Sequence, residues 1–242
     1  RILCIGIMAV MAAASVKAQD FFIKQKTHTD AYSMMGRNEP ARDEMQTIWF
    51  ADTKIASIGG SNTFVYDVEN NIVTTINNDD KTYMVKDLSE KTGDNQESGK
   101  MQAMMEGMMG SMEISITPTE ETKKIKDWTC KKYIQKTSIM GMQITVNMWA
   151  SKDLPQPQGY NKALSASMAS IPGMEKQLAK MQKEMGKIKG MVVKSETTMN
   201  MMGTTIRSSA ELVDYGNKKA PASVFAIPQG YTKKDPMQMM GR

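Results

Sequence analysis

Between residues 21 and 86 the chain repeats one pattern: a short β-branched or aromatic run, then a cluster of Asn, Asp and Gly. The runs include Thr47-Ile48-Trp49-Phe50, Thr63 to Val68, Ile72 to Ile76 and Thr82 to Val85. The clusters are Gly59-Gly60-Ser61-Asn62, Glu69-Asn70-Asn71 and Asn77 to Asp80. Side chains branched at Cβ suit a pleated, half-buried surface. Gly, Asn and Asp supply the tight turns between such runs. Strands about 8–12 residues apart with turn signals between them predict an antiparallel meander.

Strand character returns near Glu113. Trp128 to Ser138 is β-like, and Ile139-Met140-Gly141 turns it into a run where Met142, Ile144, Val146 and Met148 alternate with Gln143, Thr145, Asn147 and Trp149. A period of two marks a strand with one buried face. Pro155 and Pro157 end it. A closing hairpin is expected over 191–199 and 204–213, turning at Met202-Gly203. An irregular segment containing Ile227-Pro228-Gln229-Gly230-Tyr231 follows.

Two stretches break the β pattern. Met101, Met104, Met105, Met108, Met109 and Met112 recur at helical spacing after a polar loop over 89–100. Gly107 and Gly110 weaken that helix by about 1 kcal/mol each, so it needs a surface to lean on. A second helical region, about Asn161 to Lys189 and interrupted at Pro172-Gly173, carries Met174, Leu178, Met181, Met185 and Ile188 on one face. Gly190 is its expected stop. Methionine is the compositional outlier, at 26 residues, while aromatics make up only 6%. Flexible thioethers give a core or a groove that adapts its shape. Met-Met-Gly occurs four times, at 34–36, 108–110, 201–203 and 239–241, with two copies at expected hairpin tips. Bias in a Met-rich chain accounts for that.

The first residues set the compartment. Arg1, an apolar run from Ile2 to Ala14, and Val16-Lys17-Ala18 read as a secretory signal cleaved near Ala18. The run is shorter than the roughly 20 residues of a membrane-spanning helix. Cleavage removes Arg1 and Lys17, taking the formal net charge from +5 to +3. Neither Lys123-Lys124-Lys126 nor Lys176 to Lys189 is interleaved with aromatics, so both read as solvated faces and no nucleic-acid partner is expected. Cys4 leaves with the signal; Cys130 alone cannot form an internal disulfide and is expected as a small buried hydrophobe.

Catalytic constellations are thinly supplied. His28 is the one histidine and sits in the first expected strand, where it reads as a surface residue; a Cys130–His28 pairing is not demanded by spacing. Zinc needs several Cys or His ligands. No Gly-rich phosphate loop precedes a helix, and Glu120-Glu121 and Asp79-Asp80 fall in turn-like segments. The chain is therefore expected to be no enzyme and to hold no cofactor. A bent sheet with an apolar hollow face, covered by the Met stripes, would take an apolar ligand or a lipidated partner. The candidate ligand-binding residues are Met101, Met104, Met105, Met108, Met112, Met174, Leu178, Met181 and Met185. The bland alternative is that these stripes complete the core. Two other readings stay open: soft Cu(I) binding by thioethers such as Met104, Met105, Met108 and Met109, and a structural or docking module of the cell envelope.

Four residue groups in order carry a family resemblance: Asp80-Lys81-Thr82-Tyr83, Thr122 to Tyr133 with Asp127-Trp128-Thr129-Cys130, Met148 to Leu154, and Ile227 to Tyr231. Over about residues 20–235 the chain resembles the DUF4412 domain of exported bacterial proteins. That resemblance implies the lipoprotein-carrier architecture: an incomplete, half-open antiparallel barrel with helices across its mouth. It implies no catalytic residues. The expectation is an α+β chain, mainly antiparallel β, with two helical insertions on the concave face. A signal peptide would occupy 1–18, one domain 19–235 and a disordered tail 236–242, with the mature protein periplasmic or secreted.

Overall fold

The computed structural model describes residues 20–34, 36–89, 107, 110–139, 141–154, 175–201 and 203–234. The expected signal peptide, the 89–100 loop beyond Ser89, the Met101–Met109 stripe apart from Gly107, the helical stretch before Glu175 and the tail lie outside them.

The expected meander is present. Strands β1 (Phe21–Thr29), β4 (Arg42–Phe50), β5 (Lys54–Gly59), β6 (Asn62–Asp67), β7 (Ile72–Asn77) and β8 (Thr82–Asp87) follow one another. A small separate hairpin, β2 (Tyr32–Met34) and β3 (Arg37–Glu39), interrupts them after β1. One turn chemistry recurs. The Asp67 carboxylate accepts the Asn70 N–H (3.0 Å), and the Asn77 side-chain oxygen accepts the Asp80 N–H (2.8 Å). Each turn then passes through a left-handed residue, Asn71 (φ 59°) or Lys81 (φ 52°). An Asx side chain thus closes each turn before the strand reverses.

The second half supplies β9 (Glu113–Ile125), β10 (Trp128–Ile139), β11 (Met142–Ser151), helix α1 (Glu175–Met185), β12 (Met191–Met201) and β13 (Thr204–Asn217). A two-residue strand, β14 (Thr232–Lys233), ends the described chain. Among the described residues the main sheet has twelve strands in the order β14-β8-β7-β6-β5-β4-β1-β13-β12-β11-β10-β9. All pairings are antiparallel except β14 with β8. β14 was not expected, because Thr232-Lys233 is too short and polar to show a period. The Met-Met-Gly copies at 34–36 and 201–203 both sit at hairpin turns, where Gly36 and Gly203 take positive φ.

The sheet forks at one end. Pairing of β12 with β13 stops at Lys194↔Glu211. Beyond that, β12 stays with β11 as far as Ser151↔Met191, while β13 stays with β1 as far as Phe21↔Asn217. Bulges at Trp149/Ala150 and at Lys24/Gln25 sit at the fork and re-aim the strands. Apolar residues fill the wedge: Phe21, Phe50 and Leu212 from one arm, Cys130, Trp149, Met191 and Val193 from the other, and Leu154 just past β11. The Lys126 ammonium at the β9–β10 turn donates to the Leu212 carbonyl at 2.5 Å. Trp128 of β10 meets Tyr215 of β13 edge-on at 6.1 Å between ring centres. In a flat sheet β10 and β13 stand three spacings of about 4.8 Å apart, beyond a lysine's reach. The sheet therefore bends sharply here and folds one arm over the other.

Two expectations need correction. β11 begins half-buried as expected, but Met148, Trp149, Ala150 and Ser151 are all buried. Trp149 enters the wedge, whereas Met148 and Ala150 face α1 on the opposite side. Gly190 does not stop the helix. α1 ends at Met185, and Ile188 N–H to Met185 O (3.1 Å) tightens its final turn. Gly190 instead lets the chain enter β12 tight against the end of β11: at φ +89°, an added Cβ would lie 1.9 Å from the Ser151 carbonyl oxygen.

Candidate thioether site

Among the described residues, the last methionine of the first stripe meets the second stripe. Met112, just before β9, packs with Ile114 of β9 and Met181 of α1 in one buried cluster, and Ile139 leans against it. The Gln177 side chain donates to the Gly110 carbonyl at 3.1 Å, tying the turn before β9 to α1. One helical turn further on, Met185 joins Ile188, Ile116, Tyr133, Met148 and Ala150. Residues i and i+4 share a helix face, so Met181 and Met185 reach neighbouring clusters from one stripe. Leu178 is half-buried on α1. Of the nine candidate residues, Met112 and Met181 are brought together and Met185 lies beside them; Met101, Met104, Met105, Met108 and Met174 are outside the described residues.

The site is anchored by polar contacts that periodicity did not single out. Glu184 of α1 accepts the Ile116 N–H at 2.6 Å, and Lys187 donates to the Ile116 carbonyl at 3.2 Å. The two side chains also pair with each other at 2.6 Å. The Lys187 ammonium first, and the Ile116 N–H second, hold the Glu184 carboxyl below its ordinary range. The Lys189 N–H donates to the Tyr133 hydroxyl at 3.2 Å. Glu184 and Lys187 fall on the polar flank of the apolar stripe. Only the fact that β9 is an edge strand gives them a role.

The groups weighed for catalysis lie apart. His28, at the far end of β1 from the wedge, is bonded to Asp43 (2.8 Å) and Asp30 (3.2 Å). The Asp43 hydrogen bond raises its pKa above the ordinary value of 6.5 despite partial desolvation. Cys130 is buried in the wedge as a free thiol, and burial pushes its pKa up. Trp149 also lies there, with the Lys123 and Lys132 ammonium groups 3.7 and 4.8 Å from its ring centre. Both charges sit over the indole face, where the ring's negative quadrupole attracts a cation. Among the described residues, no group of three or more His, Cys, Asp or Glu side chains is placed to hold a metal ion. No helix among them is long and apolar enough to cross a membrane.

Comparison with known proteins gives a family. No curated protein sequence matches the chain. Among solved structures, the structure of PNGF-II aligns at 17% identity and TM-score 0.39, covering 92% of this chain but 32% of that one. This chain therefore spans about a third of that relative's length. A DUF1329 family protein from Desulfovibrio piger aligns at 8% identity and TM-score 0.30, covering 86% of this chain and 90% of that one. The model of the domain of unknown function DUF4412 matches residues 51–231, from the start of the β4–β5 turn to the segment before β14. Three quarters of the sequence lies within that match, and the chain belongs to the DUF4412 family.

Proposed function

We propose that this is an exported, non-catalytic binding protein that holds an apolar ligand or the acyl group of a lipidated partner against its methionine-lined helix. In this reading the signal peptide leaves near Ala18, and residues 19–235 act as one periplasmic or secreted domain. The bent sheet is a half-open barrel. The observation that carries the reading is the packing of Met112 on Met181, because it joins the end of one stripe to the middle of the other. The remaining candidate methionines extend those two stripes in sequence. Thioethers adapt to guests of different shape better than branched side chains do. Each methylene removed from water contributes about 0.8 kcal/mol, so ten would supply about 8 kcal/mol of gross driving force, from which the cost of immobilising the ligand is subtracted. Burial of Cys130, with its thiol pKa raised, makes it a poor nucleophile and supports a non-catalytic role.

The test is displacement of a fluorescent fatty acid from the mature chain, with Met181→Leu and Met181→Lys in parallel. The reading expects binding by the wild type and by Met181→Leu, and loss with Met181→Lys. Cu(I) titration addresses the other reading. A Cu(I) site lost in Met108→Leu and Met109→Leu, with no fatty-acid binding by the wild type, would replace the apolar site with a soft-metal one, since leucine keeps the apolar volume and removes the sulfur. Binding of neither ligand would leave the stripes as packing alone.

A further inference from the structure

Among the described residues β9 is an end strand of the sheet, so half of its backbone groups face no neighbouring strand. Such an edge is a template for another chain. Different stretches of β9 meet this problem differently. Pro118 removes one backbone donor. Between Lys131↔Thr122 and Tyr133↔Pro118, β9 advances four residues while β10 advances two, so the strand bulges away over 119–121. Both devices are common guards of exposed edges. The stretch Glu113–Thr117 has neither. It is regular, pairing residue for residue with Ser138–Ile134, and its Ile114 and Ile116 are buried. Here the outward N–H and C=O of Ile116 are taken by Glu184 and Lys187. A carboxylate stands where a neighbouring strand would offer a carbonyl, and an ammonium stands where it would offer an N–H. At the other end of the sheet, β14 covers β8 at Thr82 and Tyr83.

We propose that the Glu184–Lys187 pair is a strand mimic that closes the regular part of the β9 edge, and that without it this edge pairs with the same edge of a second copy of the chain. A second copy is the occupant because antiparallel pairing of two Glu113–Thr117 runs would join like with like: a regular, alternating Ile-Ser-Ile register without proline or bulge. Net charge near +3 after signal cleavage is too small to keep two copies apart.

The experiment uses the mature chain. Sedimentation velocity across a concentration series reads self-association, and hydrogen exchange reads the Ile116 amide. In the wild type that amide is protected although it lies on a sheet edge. In Glu184→Ala, with circular dichroism unchanged, Ile116 exchange at low protein concentration rises by about tenfold or more, and oligomers form with increasing concentration. Glu184→Gln keeps a side-chain acceptor and stays close to wild type. Adding Thr117→Lys to Glu184→Ala places a charge on the edge and restores the wild-type association state. Rapid Ile116 exchange in the wild type would overturn the proposal. So would a folded Glu184→Ala chain that associates no more than the wild type, or association unaffected by Thr117→Lys.

Discussion

Truncating Leu154 to alanine measures what holds the two arms of the fork together. Leu154 belongs to no strand, yet it is 1% exposed and packs among Phe21, Phe50, Trp149 and Val193. Its side chain is a plug set between arms that no longer share a strand ladder. Neither arm can collapse into the void without breaking its own ladder, so relaxation is limited. Leucine-to-alanine changes at such sites cost about 2–5 kcal/mol, and about 3 kcal/mol is expected here. For a domain of this size each kcal/mol lowers the melting temperature by about 2–4 °C, giving a fall of about 6–12 °C. The assay is thermal unfolding followed by circular dichroism and by tryptophan fluorescence, since Trp128 and Trp149 flank the wedge. Met45→Ala is the control: Met45 is 45% exposed on β4, and its truncation should change stability by no more than about 0.5 kcal/mol. A Leu154→Ala loss as small as that of the control would refute the forked core.

Gly190→Ala should fail to fold, because its Cβ would meet the Ser151 and Lys152 backbone, whereas Gly203→Ala, also at positive φ but in open space, should lose only about 1–2 kcal/mol in a melt. The His28 pKa, read by NMR titration, should lie above 6.5 and return towards it in Asp43→Asn. Because the folded value is the raised one, the stabilisation from this contact is complete below about pH 6.5 and disappears as pH rises through the folded pKa. Cys130 should resist a thiol-labelling reagent at pH 8 in the native protein and react at once in denaturant; native labelling as fast as that of a free thiol would contradict its burial.

The meander could be read directly from the chain because its determinants are local. β-branched runs and Asx-type turns fix each hairpin within about ten residues, and Asp67, Asn77 and Asn71 do in the structure what their chemistry predicts. The fork could not be read this way, since it depends on where β12 and β13 part company. Trp149 illustrates the difficulty. Alternation assigned it to the polar side of its strand, but that side is covered by the other arm of the sheet. Gly190 resembles a helix stop in sequence, yet its glycine is required by a contact with Ser151, distant along the chain. The methionine stripe over α1 was visible as helical periodicity. That Met112 would meet Met181, and that Glu184 and Lys187 would serve an edge strand, depends on tertiary placement that periodicity does not encode.

Native mass spectrometry of the mature protein purified from its own host tests the binding reading most directly. The account predicts a population carrying an apolar adduct that is absent from Met181→Lys purified in the same way. A protein that flies empty, and that also takes up no fatty acid when one is supplied, would contradict it.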